Sequence, residues 1–150
     1  MKISIIQQKM GVGYGYGDEP LALDLLRINT ENRLNECFSL IEQAAKEGTD
    51  LAVTIETVNL YTALGDTRFA YTDLYGGTES EIVKRFSAAA KNFGIYIVAG
   101  LLLTLEGKAY NCAVLFGRQG EIVGIHRKVH LKAFILGTHH NHIHYIVYHT

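Results

Sequence analysis

Along this chain, short apolar runs typical of strands alternate with segments in which apolar residues have the spacing of a helix. Residues 2–7 (KISIIQ) and 50–57 (DLAVTIET) are apolar-rich runs with the length of buried strands. Between them, residues 30–47 place apolar side chains three and four positions apart, which predicts an amphipathic helix. The first part of the chain therefore predicts a strand, a helix and a second strand.

Capping residues mark where two helices begin and end. Asn29 or Thr30 fits the cap of the first helix, and Gly48 fits the left-handed position just past its end. Thr78 and Glu81 form a T-x-x-E capping box, which predicts the start of a second helix. The apolar side chains of that helix are Ile82, Val83, Phe86, Ala89, Ala90 and Phe93.

Three strands follow the second helix, which ends at Gly94. They are predicted at residues 95–103, 109–116 and 121–129, and the connecting turns EGK and GRQG contain the glycine that favours hairpins. The order β-α-β-α-β-β-β predicts an α/β fold, with a mixed β-sheet and helices packed on one face.

Composition limits the class of function. Charged residues make up 19% of the 150 residues and the formal net charge is −1, which gives no electrostatic basis for binding nucleic acid or an anionic membrane. No run approaches the ~18 apolar residues of a membrane span, so a cytoplasmic protein is expected. Two cysteines are too few for a disulfide framework.

Two stretches interrupt the pattern. Residues 11–20 (GVGYGYGDEP) contain neither G-x-G-x-x-G nor G-K-[ST], and no helix is predicted to begin within them. A flexible loop is therefore favoured over a phosphate-binding site. Residues 58–77 show no clear period, and a loop of that length in a small domain is often functional.

The end of the chain differs in composition from the rest. Five of the seven histidines fall there, so we assign residues 1–131 to one domain portion and residues 132–150 to an atypical histidine-rich tail. His140, His142 and His144 would share one face of a strand and could bind zinc or copper. No acidic residue or cysteine accompanies them, which favours a tail without a metal.

Two charged residues lie where buried strands end. Glu56 follows LAVTI and Lys128 follows EIVGIHR. Open α/β sheets place their reactive groups at the carboxyl ends of strands, where a glutamate suits a general base and a lysine can stabilise developing negative charge. Each residue also has an ordinary explanation, because a strand-end glutamate can pair with a cation and a strand-end lysine can extend to solvent.

The order of these segments resembles the nitrilase, or carbon–nitrogen hydrolase, superfamily. The matching segments are the strand KISIIQ, the helix leading into DLAVTIE, the strand FGIYIVAGLLL, the hairpin strand YNCAVLF and the segment HRKVHL. The resemblance covers residues 2–8 and about 30–131. It implies the αββα sandwich of that family, of which this chain would form the N-terminal part.

The resemblance also implies a reaction and the residues that perform it. In that family a cysteine attacks an amide or nitrile carbon, a glutamate is the base, and a lysine stabilises the tetrahedral intermediate. Glu56 matches the base and Lys128 the lysine, while Arg127 and His130 match structural neighbours. The implied partner is a small amide or nitrile, with no cofactor, no nucleic acid and no membrane, and a homo-oligomer is expected.

The third catalytic group has no counterpart in the sequence. The family's cysteine lies some tens of residues beyond the lysine, and residues 129–150 contain no cysteine. Cys37 falls on the apolar face of a helix, and Cys112 lies inside a strand, where nothing lowers the pKa of a thiol. We therefore expect a truncated chain that is inactive as written. The alternative is a non-catalytic binding or regulatory module that retains half of the site.

Overall fold

One mixed β-sheet organises the residues that this computed structural model describes, which are 1–8, 23–59 and 76–128. Within them, five strands lie side by side in the order in which they occur along the chain. The elements are β1 (Ile3–Ile6), α1 (Leu23–Lys46), β2 (Leu51–Thr54), α2 (Glu81–Phe93), β3 (Tyr96–Leu105), β4 (Lys108–Phe116) and β5 (Ile122–Arg127).

The sheet has a parallel half and an antiparallel half. β1 pairs with β2 and β2 with β3 in parallel, while β3, β4 and β5 form an antiparallel meander. Parallel neighbours need a crossover connection, and α1 and α2 lie in the two crossovers. The mixed α/β sheet predicted from the sequence is thus confirmed.

The hydrophobic core lies between the two helices and one face of the sheet, which we call the helix face. Side chains alternate between the faces of a strand, and on β3 every second one is fully buried, from Ile97 to Leu103. Phe86 of α2 packs on this face, with its ring centroid 4.7 Å from that of Phe38 on α1 and 5.9 Å from that of Phe116 on β4. The core therefore joins both helices to both halves of the sheet.

The opposite face, which we call the open face, carries the other set of alternating side chains. On β1 these are Ile3 and Ile5, both exposed, and on β3 they include Tyr96, also exposed, and Val98, which is half-buried. β3 is therefore buried on only one face at its N-terminal end. No element of the described ranges packs over that end.

The predicted helix starts also need correction. α1 begins at Leu23, so Asn29 and Thr30 lie inside the helix and do not cap it. α2 begins at Glu81 with Ser80 as its N-cap and no side-chain capping bond, so the predicted capping box at Thr78 is absent. The C-terminal signals were correct, because Gly48 and Gly94 both have left-handed φ angles, of 81° and 65°.

Several sequence features lie outside the described residues. These are the Gly/Tyr loop at 11–20, most of the predicted loop at 58–77, and the histidine-rich tail. Neither α1 nor α2 combines the length and the apolar character needed to cross a bilayer.

Candidate active site

Glu56 lies on an arch of backbone that crosses the open face of β3. β2 ends at Thr54, and residues 55–57 then pass directly over Gly100. A Cβ atom at position 100 would lie 2.4 Å from the carbonyl oxygen of Ile55 and 2.9 Å from the Cα atom of Glu56. Glycine is therefore the residue that lets the arch approach the strand this closely.

Hydrogen bonds to β3 hold the far end of the arch. The main-chain N–H of Val58 donates to the Gly100 carbonyl at 2.8 Å. The Asn59 side chain accepts from the Leu102 N–H and donates to the Leu102 carbonyl, both at 2.8 Å. Because β3 extends beyond the end of β2, these Leu102 groups need a partner, and the buried amide of Asn59 provides it.

Lys128 follows β5 and continues its pairing with β4. Its main-chain N–H donates to the Asn111 carbonyl at 2.8 Å. Asn111 in turn pairs with Leu102 of β3, and its side chain is on the open face, as the alternation of β4 requires. The antiparallel meander thus brings Asn111 and Lys128 beside the arch that carries Glu56.

The side chains of these three residues meet at one oxygen atom. Lys128 Nζ donates to Glu56 Oε1 at 2.6 Å, although the residues are 72 positions apart in the sequence. Asn111 Nδ2 donates to the same oxygen at 2.5 Å, across 55 positions. Glu56 and Lys128 are 60% and 46% exposed, so a small molecule can reach both. The structure therefore brings together the two residues predicted as catalytic, and their catalytic roles stay a prediction.

A shallow cavity of about 340 Å³ borders this cluster. Its wall combines the polar side chains of the cluster and His126 with small and apolar residues of three strands. The lining residues are Val53, Thr54, Ile55, Glu56, Val98, Gly100, Asn111, Cys112, Ala113, His126 and Lys128. Such a mixture of an apolar wall and a few converging polar groups is typical of small-molecule sites.

Neither cysteine has the environment of a nucleophile. Cys37 is fully buried in α1, and burial raises the pKa of its thiol to about 12. Cys112 pairs with Leu101 on the helix face, and its Sγ lies 3.7 Å from the Tyr110 carbonyl oxygen. Burial also raises the pKa of the Cys112 thiol, and Arg127 opposes this effect only in part. The Cys112 thiol is on the side of the sheet opposite to Glu56.

Arg127 is turned away from the cluster. Its guanidinium donates to Glu106 at 3.3 Å and lies 5.0 Å from the centre of the Tyr110 ring. The hydrogen bond to Glu106 raises the pKa of Arg127. These contacts fit the structural role expected for Arg127, while His130 lies outside the described residues.

Sequence reasoning missed three residues of this site. Gly100 had a usable signal, because a glycine inside an apolar strand often marks a close backbone approach. Asn111 was part of the matched hairpin motif but received no role. Asn59 fell at the start of the segment interpreted as a loop. In the described ranges, no cluster of three or more histidine, cysteine or acidic side chains could hold a metal ion.

Comparisons with known proteins find similar proteins by sequence and by structure. The sequence model of the family described as carbon-nitrogen hydrolase matches residues 19–143. "Nitrilase homolog 2" from Dictyostelium discoideum is 33% identical over 107 residues, or 69% of this chain and 31% of that protein. "Omega-amidase NIT2-A" from Xenopus laevis is 33% identical over 102 residues, or 67% of this chain and 35% of that protein.

A solved structure extends the similarity to three dimensions. Saccharomyces cerevisiae Nit3, a member of branch 10 of the nitrilase superfamily, aligns with a TM-score of 0.60 and 28% identity, over 67% of this chain and 39% of that one. The chain spans about a third of the length of the curated relatives that it matches.

Proposed function

Because the chain belongs to the carbon–nitrogen hydrolase family, we propose that Glu56 and Lys128 are part of a site that hydrolyses the C–N bond of a small amide. The contact of 2.6 Å between Lys128 Nζ and Glu56 Oε1 carries this proposal. An exposed ion pair contributes only about 0–1 kcal/mol to folding. Stability alone therefore gives little reason to join the ends of β2 and β5 through these side chains.

The choice of an amide over a nitrile rests on the relatives. The Xenopus laevis protein is named an omega-amidase, and about a third of its length is matched here. The cavity of about 340 Å³ beside the pair suits a small substrate. Its polar groups can form hydrogen bonds with an amide, while the apolar wall can contact the rest of the molecule.

The two charged groups have separate tasks in the proposed reaction. The Glu56 carboxylate accepts the proton of the attacking nucleophile as its bond to the amide carbon forms. The Lys128 ammonium stabilises the negative charge that develops on the amide oxygen. The Glu56 carboxyl then returns its proton to the departing nitrogen as the C–N bond breaks. Their contact keeps the base and the cation on the same side of the cavity.

These 150 residues alone should not turn over an amide. Covalent catalysis requires a thiolate beside the base, and both cysteine thiols are buried in the hydrophobic core. A carboxylate and an ammonium can still orient a water molecule, but base assistance gives only about 10²–10⁴-fold acceleration. Against the slow spontaneous hydrolysis of amides, that effect would be hard to detect.

The proposal is tested by joining the chain to the part of the Xenopus laevis omega-amidase that follows the matched region. The joined protein should release ammonia from small amides, as measured in a coupled assay. Glu56→Gln should lower kcat by about 10²–10⁴-fold, which is the range for loss of a general base. Glu42→Gln is the matched control, because Glu42 pairs with Lys46 on α1, in a different part of the fold.

Two results would contradict the proposal. One is a joined, folded protein in which Glu56→Gln and Lys128→Met leave turnover unchanged. The other is turnover by the 150 residues alone that survives both changes and disappears with Cys112→Ala. That second result would make Cys112 the nucleophile.

A non-catalytic binding module is the alternative function. The observation that favours it is the burial of both cysteine thiols, which leaves the Glu56–Lys128 pair without an exposed thiol among the described residues. Calorimetry with small amides and the 150-residue chain separates the two functions. Saturable binding that requires Lys128, with no turnover by the joined protein, would favour the binding module.

A further inference from the structure

Asn111 contacts both charged residues of the site through different atoms. Its side-chain amide donates to Glu56 Oε1 at 2.5 Å, and its main-chain carbonyl accepts the Lys128 N–H at 2.8 Å. We propose that Asn111 is a positioning residue that fixes the Glu56 carboxylate and the Lys128 backbone relative to each other. The catalytic consequence of this role rests on the proposed function, whereas the contacts can be tested without turnover.

The position of Asn111 in the sheet makes it suited to this role. It lies inside β4, opposite Leu102 in the register with β3 on one side, and its carbonyl accepts the Lys128 N–H on the other side. The backbone is thus held from two directions, and a short side chain has few rotamers to lose when it forms a contact. By contrast, Glu56 lies on an arch and Lys128 follows the last residue of β5, so both start from less constrained backbone.

The chemistry of an amide also fits better than that of a second cation. A neutral donor lowers the proton affinity of the carboxylate less than a second cation would, so Glu56 can still accept a proton. Polar groups at the surface can form hydrogen bonds with water, so the need for a hydrogen-bond partner does not by itself explain this contact. A role in fixing the orientation of the Glu56 carboxylate explains why the Asn111 side chain donates to Glu56 Oε1.

The first test uses the unmodified 150-residue chain. With ¹³C-labelled glutamate and ¹⁵N-labelled asparagine, NMR follows the Glu56 carboxyl carbon and the Asn111 side-chain NH₂ as the pH is lowered. If the contact is present, the Asn111 NH₂ resonances shift with the same midpoint as the Glu56 carboxyl. Asn111 resonances that do not respond to the protonation of Glu56 would overturn the proposal.

The second test removes the donor. Asn111→Leu preserves the approximate shape of the side chain, and Asn92→Leu makes the same change on an exposed position of α2. In Asn111→Leu the Glu56 titration should move to higher pH, because the ionised carboxylate loses a hydrogen bond. Asn92→Leu should leave it in place. An unchanged Glu56 midpoint in a folded Asn111→Leu protein, judged by its amide spectrum, would refute the role of Asn111.

Neighbouring charges are controlled in the same experiment. Among the described residues that line the cavity, the other titratable groups are Lys128, His126 and Cys112. Burial raises the pKa of the Cys112 thiol, so this thiol stays uncharged while the Glu56 carboxyl titrates. The titration is therefore repeated after His126→Gln is introduced into the unmodified chain and into the Asn111→Leu variant. The shift of the Glu56 midpoint caused by Asn111→Leu should persist. Failure of the amide assay would count against the proposed function. The NMR titrations would still decide whether Asn111 holds the Glu56 carboxylate. A successful assay with an unchanged Glu56 titration would refute only the role of Asn111.

Discussion

Single backbone positions determine where the candidate base lies. Thr57 has a φ angle of 52°, a left-handed conformation that costs a non-glycine residue of order 1 kcal/mol or more. The turn at Thr57 is part of the arch that places Glu56 over Gly100. The contacts of Val58 and Asn59 with β3 offset that cost. The location of Glu56 thus depends on residues that take no part in the proposed chemistry.

Gly100→Ala should destabilise the chain and displace Glu56. The new Cβ atom would lie 2.4 Å from the Ile55 carbonyl oxygen, so the backbone of the arch must move. Overpacking of this kind typically costs about 1–3 kcal/mol. Urea unfolding measures the loss of stability, and the NMR shift of the Glu56 carboxyl reports the displacement.

Gly124→Ala is the matched control for this substitution. Gly124 lies on β5, and a Cβ atom there would meet nothing within 4 Å. Alanine should be tolerated at position 124, with stability unchanged or slightly raised, because glycine in a strand is costly. Equal effects of the two substitutions would show that the arch does not rest on β3 as described.

At the scale of whole elements, the difference in length between β2 and β3 creates the place for the site. β2 has four residues and β3 has ten, so among the described residues no strand lies beside the later part of β3 on the β2 side. Asn59 fills part of this gap with its side chain, and the Gly76 carbonyl accepts the Thr104 N–H at 3.1 Å. Asn59 and Gly76 therefore pair with main-chain groups of β3 that lie beyond the end of β2.

Asn59→Leu should be strongly destabilising although it replaces a polar residue with an apolar one. The side chain is 2% exposed, and its loss leaves the Leu102 N–H and carbonyl unpaired. An unsatisfied buried group costs about 1–3 kcal/mol. Thermal unfolding measures the effect, with Asn32→Leu on the exposed side of α1 as the control. A near-neutral Asn59→Leu would mean that Leu102 finds other partners.

The elements were easier to predict from the sequence than their ends. The spacing of apolar residues predicted all seven described helices and strands, because burial of one face leaves a regular apolar pattern in the sequence. The starts of α1 and α2 were missed because Asn29, Thr30 and Thr78 are also tolerated away from a cap. Glu56 and Lys128 could be found from a resemblance, but the partners that hold them depend on strand lengths and register, which a single sequence does not specify.

The molecule as a whole presents a sheet with one well-covered face. The helix face is packed against α1 and α2, whereas the open face includes Ile3 and Ile5 at 52% and 75% exposure. Exposed apolar side chains on a sheet face favour association with another apolar surface. It lies on the same face of the sheet as the candidate site.

The 150-residue chain should self-associate through the open face as its concentration rises. Ile5→Lys places a charge on that face and should shift the chain toward monomer in sedimentation velocity. Ile28→Lys is the control, because Ile28 is similarly exposed, at 56%, but lies on α1. A clean monomer at high concentration, with no difference between the two variants, would contradict this expectation.

The split of the sheet into two halves has a consequence for the order of folding. The meander of β3, β4 and β5 connects strands that are close in sequence, so it can form early and with little loss of chain entropy. Asn111 and Lys128 then meet within one local unit. Glu56 arrives only when the crossover through α2 has closed, across 72 positions from Lys128. We therefore expect the ion pair to form late, and in a refolding experiment its formation would mark the moment at which the two halves of the sheet have joined.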